Sequence, residues 1–399
     1  MLNELNRPEV LAFIKANADS DIHQLLFKKD KHPNIPMQLA VDQIRSRKKA
    51  RTKLPEWYAT EGVIFPPPLS MEQCSSEATA RFKAGLVSGE QGLDLTGGAG
   101  VDSYYLAQAF QSFVYVEQQP ELCALARHNF DKLASKKPTV IEDSAEHFLA
   151  TTKTTFDLIF IDPARRKADK KVFQWTDATP NLLELQDTLL SRSKKVLIKG
   201  SPILDIKLST AQLRNVRQVI VLAVEGEVKE LLILQEKDFT GHIKLRACNI
   251  VDNTINEFKY DLEEENQEGI EYGPAMDLLF EPNAAIMKSG GFGQVAKQFN
   301  LTKLHKHTHL YTGNHLIDNF PGRVFRVKDR LALDKKLLKI ACPDGKANIS
   351  VRNFPLSVAE VRNKTGLKPG GDVYLFACTN HLGKKEVMVC DQLFHLPGQ

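Results

Sequence analysis

Long apolar runs are missing from this chain, and no stretch approaches the roughly 20 residues that a membrane-spanning helix needs. Cysteine is scarce, with six in 399 residues and no Cys-x-x-Cys pair. That argues against a disulfide framework and structural zinc, and for a reducing compartment. No sign of charge dominates: 53 basic residues face 49 acidic ones, a net charge of +4. Electrostatics alone therefore does not designate a nucleic-acid partner. The first residues, Met1-Leu2-Asn3-Glu4-Leu5-Asn6-Arg7, lack the basic and apolar regions of a signal peptide. A cytoplasmic location without membrane association is expected. Repeats and low-complexity tracts are absent too. What remains is an ordinary globular composition, 42% hydrophobic, and a length that suits two to four domains.

The strongest positive signal is a series of acids. Asp94, Glu117, Asp143 and Asp162 each close or follow a short apolar run, at 92–95, 113–116, 138–141 and 158–161. In an open α/β sheet the carboxyl ends of the strands share one rim, and ligands bind in the crevice outside it. Between the first two acids lies Thr96-Gly97-Gly98-Ala99-Gly100-Val101-Asp102-Ser103. Such a glycine-rich turn lets a ligand approach the backbone closely. A dinucleotide fingerprint would need a third small residue where Ser103 stands, and Asp102 would repel a pyrophosphate at the helix N-terminus. Glu117 follows Gly98 by 19 residues, a spacing that suits a carboxylate on a ribose diol. A ribose, a cationic centre and no phosphate point to S-adenosylmethionine.

Residues 92–236 thus resemble a class I S-adenosylmethionine-dependent methyltransferase. The family's first motif is Asp-x-Gly-x-Gly-x-Gly, and here Thr96 replaces its first glycine. The resemblance implies that Asp94, Thr96, Gly98 and Gly100 hold the methionine portion. It implies Glu117 on the ribose hydroxyls, and Asp143 with Ser144 at the adenine. Two β-branched runs, 217–224 and 229–235, read as a hairpin. Helix-spaced segments at 103–110, 120–132 and 181–193 fill the intervals between strands. The expected fold class is α/β: a Rossmann-like, doubly wound methyltransferase sheet with an antiparallel terminal hairpin. An N-terminal helical domain and C-terminal α+β domains would flank it.

Asp162-Pro163-Ala164-Arg165-Arg166 resembles the Asp/Asn-Pro-Pro-aromatic motif of enzymes that methylate exocyclic amines of bases. Asp162 and Pro163 match it; Ala164 and Arg165 do not. Arg165 can stack on a base, contact a phosphate, or simply be solvated. Phe173 and Trp175 can replace the missing ring or serve as packing. Cys74, Cys123, Cys248, Cys342, Cys378 and Cys390 all lie outside this motif and outside the next strand, 195–199. A covalent route to pyrimidine C5 is therefore disfavoured, and a nitrogen target is favoured. Lys199 closes that strand on the same rim, as a substrate contact or a solvated side chain. Helical spacing over 71–83 predicts a helix that covers the cofactor, with Gln73, Ser75 or Thr79 as contributors.

Arg45, Arg47, Lys48, Lys49, Arg51 and Lys53 crowd the stretch before Trp57 and Tyr58. They read equally as a grip on phosphates with base stacking and as a solvated helix face. His305, His307 and His309 would share one face of a strand. With no carboxylate or thiol beside them, packing outweighs metal binding, and no metal site is expected.

Breaks in composition suggest a helical basic domain at 1–68 and a methyltransferase domain at 69–236. A ferredoxin-like domain at 237–325 and a THUMP-like domain at 326–399 would follow. The residues that carry this likeness are Leu279-Phe280-Glu281-Pro282-Asn283-Ala284-Ala285-Ile286-Met287, His309-Leu310-Tyr311-Thr312, Asn319-Phe320-Pro321-Gly322-Arg323 and Val351-Arg352-Asn353-Phe354-Pro355-Leu356. They resemble bacterial class I methyltransferases with an appended ferredoxin-like segment and a C-terminal THUMP-like domain. The resemblance implies an RNA substrate, tRNA or rRNA. DNA or a small molecule, and a binding module with lost catalysis, are the alternatives.

Overall fold

The computed structural model describes residues 2–27, 29–133, 136–165, 175–266 and 268–394. The chain forms two compact units, one of residues 1–217 with 232–240, the other of 218–231 with 241–399.

In the first unit five parallel strands lie in the order Ser193–Gly200, Phe156–Ile161, Gly89–Asp94, Phe110–Glu117, Thr139–Glu142. The next two strands along the chain, Phe110–Glu117 and Thr139–Glu142, lie on one side of Gly89–Asp94, and the later two lie on the other. That reversal is the topological switch point at which open α/β sheets bind ligands. The strands are apolar on both faces, as a helix-covered parallel sheet requires: Leu158, Ile159, Phe160 and Ile161 are almost fully buried. The helices Val101–Ala107, Pro120–Leu133, Ala145–Thr151 and Leu182–Arg192 fill the crossovers. Pro120 stands at the first turn of its helix, where a missing N–H costs nothing.

The N-terminal helices belong to the same unit. Val10, Ile14, Ala40, Val41 and Ile44 form one buried cluster with Ile64 and Leu125. The single helix expected over 71–83 is two, Pro68–Gln73 and Glu77–Ala84. Ser76 breaks the run, because its side chain accepts from the backbone N–H of Thr79 and caps the second helix.

A hairpin follows, its residues divided between the two units. Strands Val216–Val224 and Glu227–Glu236 flank a two-residue turn, Glu225-Gly226, with φ of 50° and 74°. Two left-handed residues match the type I′ geometry that follows strand twist. Lys244–Val251 then pairs in parallel with Val216–Val224, and Thr254–Asp261 pairs antiparallel with Lys244–Val251. Residues 244–261 therefore extend the sheet of the hairpin, which corrects the expectation that a ferredoxin-like domain opens at 237. The reason is edge pairing: a run this apolar buries both faces beside a strand that already exists.

A seven-stranded sheet begins only at Leu278–Pro282, and its last strand along the chain is Lys385–Phe394. There Asn348–Arg352, the helix Val358–Thr365 and Val373–Thr379 form the expected βαβ unit with parallel strands. The three histidines do not share a strand face. His305 ends one strand, a turn holds His307, and His309 begins the return and stacks on Phe292 at 3.5 Å. No group of three metal-ligating side chains occurs among the described residues. Nor is any described helix long and apolar enough to cross a membrane.

Candidate active site

The turn after the first strand is shaped by a tyrosine ring. A Cβ on Gly97 would sit 2.1 Å from the ring of Tyr115, so only glycine fits. The Tyr115 hydroxyl donates to the Gly98 carbonyl at 2.7 Å, and Gly98 and Gly100 take φ of 52° and 81°. The backbone is thereby bent away from the strand and into a cleft of about 260 Å³.

Asp94, Glu117, Asp143 and Asp162 all line that cleft, as do Thr96, Gly98 and Gly100. Asp94 is buried. It accepts from the Thr96 N–H at 2.9 Å and from the Ser103 hydroxyl. Burial pushes its pKa up to about 7, against the pull of those two donors. The charges of Asp102 and Asp162 add to the rise. Glu117 is buried as well, and each of its oxygens takes one backbone donor, from Gly98 and from Gln119, at 2.9 Å. A carboxylate oxygen has further lone pairs, so both remain able to accept from a ligand.

Asp143 accepts from the Ser144 N–H at 2.8 Å and faces the His147 ring at 2.8 Å. Ser144 itself is absent from the cleft lining. Its hydroxyl caps the helix Ala145–Thr151 by accepting from the His147 N–H. Ala145 and Glu146 line the cleft beside it.

Asp162 lies across from the glycine turn and is half-buried. Its backbone N–H donates to the Thr96 hydroxyl, and its carboxylate receives the Lys199 ammonium at 2.6 Å. Pro163 is buried behind it. Ala164 and Arg165 pair as an antiparallel ladder with Ala178 and Thr179, bringing Thr179 and Pro180 to the cleft. Arg166 and Phe173 lie outside the described residues. Trp175 is fully buried, so it packs and offers no stacking platform.

Three features escaped the sequence reading. Lys83 is completely buried, 3.2 Å from the Asp102 carboxylate, with Ser75 hydrogen-bonded to both. Lys199 reaches the same carboxylate at 3.6 Å. Asp102 is thus neutralised, and two ammonium groups hold its pKa low despite burial. Its expected repulsion of a phosphate loses force. The faint available signal was position: Lys83 follows Thr79 and Ala80 by one helical turn, on their buried face. The third feature is Cys74, which lines the cleft from outside the Asp162 motif and the strand that follows it. Burial raises its thiol pKa, so the nucleophilic thiolate is suppressed.

With Asp102 neutralised, Asp94, Glu117, Asp143, Glu146 and Asp162 leave the cleft five carboxylates against one lysine, Lys199. Such a wall favours a cationic ligand with hydroxyl donors and disfavours a pyrophosphate. S-adenosylmethionine fits this donor set and the tyrosine-backed glycine turn. When bound, it supplies a methyl group activated on a sulfonium.

A switch-point cleft with acids at four strand ends defines a class I methyltransferase. Residues 77–218 match a family described as conserved hypothetical protein 95, 278–321 a ferredoxin-like domain, and 322–392 a THUMP domain-like family. A solved structure assigned as a methyltransferase of Porphyromonas gingivalis W83 is 31% identical; the match covers 97% of this chain and 99% of that one, with a TM-score of 0.87. An uncharacterized S-adenosylmethionine-dependent methyltransferase of Mycobacterium tuberculosis is 24% identical over 328 residues, 81% of this chain and 87% of that relative. Ribosomal RNA small subunit methyltransferase J of Coxiella burnetii is 34% identical over 77 residues, 18% of this chain and 30% of its own length. This chain belongs to the family of S-adenosylmethionine-dependent methyltransferases with appended ferredoxin-like and THUMP-like segments.

Proposed function

We propose that this enzyme methylates a base nitrogen of RNA, in tRNA or rRNA. The observation that carries the reading is the hydrogen bond from the Asp162 N–H to Thr96, which fastens the substrate-side acid to the cofactor turn. In this reading Asp94, Thr96, Gly98 and Gly100 hold the methionine portion. Glu117 takes the ribose hydroxyls, and Asp143 with the start of the Ser144-capped helix takes the adenine. The Asp162 carboxylate accepts an N–H of the target amine and orients its lone pair toward the methyl group. Pro163 and Arg165 frame the entering base. The nitrogen gains the methyl, the sulfur keeps the electron pair of the broken carbon–sulfur bond, and the amine proton leaves through Asp162 to water. Alignment and water exclusion supply most of the rate. The chain divides in function as a basic helical part to 68, the catalytic part to 236, and accessory parts meeting near 325. The THUMP domain-like match and the ribosomal RNA methyltransferase relative support RNA over other substrates.

Labelled S-adenosylmethionine, incubated with the enzyme and an extract of RNA, DNA and metabolites from cells lacking the gene, tests this. Label in one RNA species, released on digestion as an N-methyl nucleoside, supports the reading. Label confined to DNA or metabolites replaces the substrate, and cofactor binding without transfer replaces the activity.

A further inference from the structure

We infer that the exposed face of the helix Met37–Lys53 is a phosphate track that delivers the RNA strand to the cleft; the inference rests on the RNA reading above. This helix carries six basic residues, Arg45, Arg47, Lys48, Lys49, Arg51 and Lys53, and one acid, Asp42. Its net charge of five exceeds the +4 of the whole chain, so everything else together holds one more acid than base. The net positive charge of the chain is thus no more than this one helix carries.

Its orientation is fixed. Ala40, Val41, Ile44 and Ala50 are fully buried on the inner face, while Arg45, Lys48, Lys49 and Arg51 are exposed. Arg45 and Arg51 have no side-chain ion pair or hydrogen bond among the described residues. The helix end is fastened to the cleft wall. Lys53 donates to the carbonyls of Met71 and Glu72 at 3.0 and 2.8 Å, and Lys49 pairs with the Glu72 carboxylate at 2.9 Å. The next residues, Gln73, Cys74 and Ser75, line the cleft. From Arg45 to Lys53 the helix rises about 12 Å.

Charge favours such a track. The cleft carboxylates that no lysine neutralises, Glu117, Asp143 and Glu146 among them, accept a base or a sulfonium but repel the phosphates attached to that base. Those phosphates need cations beside the mouth, and this helix supplies them. The grip is on backbone and not on bases, because both aromatic candidates are used elsewhere. Trp57 is fully buried, edge-on to Tyr104, and Tyr58 lies under Arg47. Contacts of this kind position a strand without reading its sequence.

The test compares the full-length R45Q/R51Q variant with K153Q/K237Q, which removes the same charge at the amino-end rim of the sheet. Binding of deproteinised tRNA and of a ribosomal RNA transcript is measured across a salt series, with S-adenosylmethionine affinity as the control for folding. R45Q/R51Q is expected to weaken RNA binding about tenfold near physiological salt and to lower the salt slope by roughly 1.4, with cofactor affinity unchanged. K153Q/K237Q is expected to leave both near wild type. Equal losses in the two variants, or none in R45Q/R51Q while the wild type binds, overturn the track. An equal loss of polyglutamate binding assigns the face to acidic proteins and overturns it as well. A wild type that binds neither RNA removes the RNA reading itself, a result distinguishable from the others.

Discussion

The Thr96 hydroxyl accepts the backbone N–H of Asp162 at 2.7 Å, while the Thr96 N–H donates to the Asp94 carboxylate. The ends of two neighbouring strands are thereby locked together at the point where the sheet reverses its order. A glycine at 96, the residue usual in the family motif, could not make this link.

Thr96→Val keeps the side-chain volume and loses the acceptor. Cofactor affinity should fall only modestly, because the Thr96 N–H that orders the methionine-side turn on Asp94 remains, whereas kcat should fall roughly ten- to a hundredfold, the scale of an ångström-sized misplacement. Calorimetry and steady-state kinetics on the same preparation separate the two. A collapse of cofactor binding with kcat intact would reverse the assignment.

Asp162→Ala should abolish transfer and leave cofactor affinity nearly intact. Lys199 keeps Asp102 within 3.6 Å, so its charge is not stranded. Asp162→Asn retains an acceptor, and partial activity there would show that orientation rather than charge matters. If binding of the cofactor fails in both variants, the substrate-side role is wrong.

Glu117→Ala should weaken S-adenosylmethionine by roughly 1–3 kcal/mol, the cost of stripping a charged hydrogen-bond partner. The variant also frees the Gly98 and Gln119 N–H groups, so part of the loss reflects a loosened turn. Glu117→Gln keeps one acceptor for them and should lose less. Titration calorimetry reads both, and unchanged affinity in Glu117→Ala refutes the ribose assignment.

Asp94 titrates near 7 in the fold and near 3.8 when unfolded. The fold favours its neutral form, so its contribution to stability is complete below pH 4 and is lost as pH rises through 7. Asp94→Asn should remove that dependence and stabilise the unliganded protein at pH 8 by roughly 2–4 kcal/mol. A cationic ligand favours the ionised form, so wild-type cofactor affinity should rise from pH 6 to 8 with proton release. Urea midpoints and calorimetry in buffers of different ionisation enthalpy check both. Identical pH profiles for the two proteins would sink the claim.

Lys83→Met leaves Asp102 with Lys199 as its remaining cation. Breaking a buried pair costs about 3–5 kcal/mol, and the lower end applies because that second lysine stays. Thermal denaturation measures it. A variant as stable as wild type would mean that Lys199 alone compensates Asp102.

The sheet, its order of elements and the four acids were legible along the chain, because each signal is local. A strand buried on both faces reads as a continuous apolar run, and its carboxyl end must face the rim. The helix caps at Asn181 and Ser357 are local in the same way. Pairing partners are different. Lys244–Val251 reads as a strand from its own residues, but nothing in them names Val216–Val224 as its neighbour. The same holds for the break at Ser76, where one side-chain cap outweighed helical spacing across the whole segment.

The sequence alone determined a class I methyltransferase core and the carboxylates that make its crevice acidic, since alternation, glycine and strand-end position are one-dimensional facts. The tertiary structure alone decided which charges cancel. Lys83, Asp102 and Lys199 are distant along the chain and meet only when two helices and a strand end converge. Burial then makes their pairing obligatory, because an isolated charge taken from water costs more than the fold can spare.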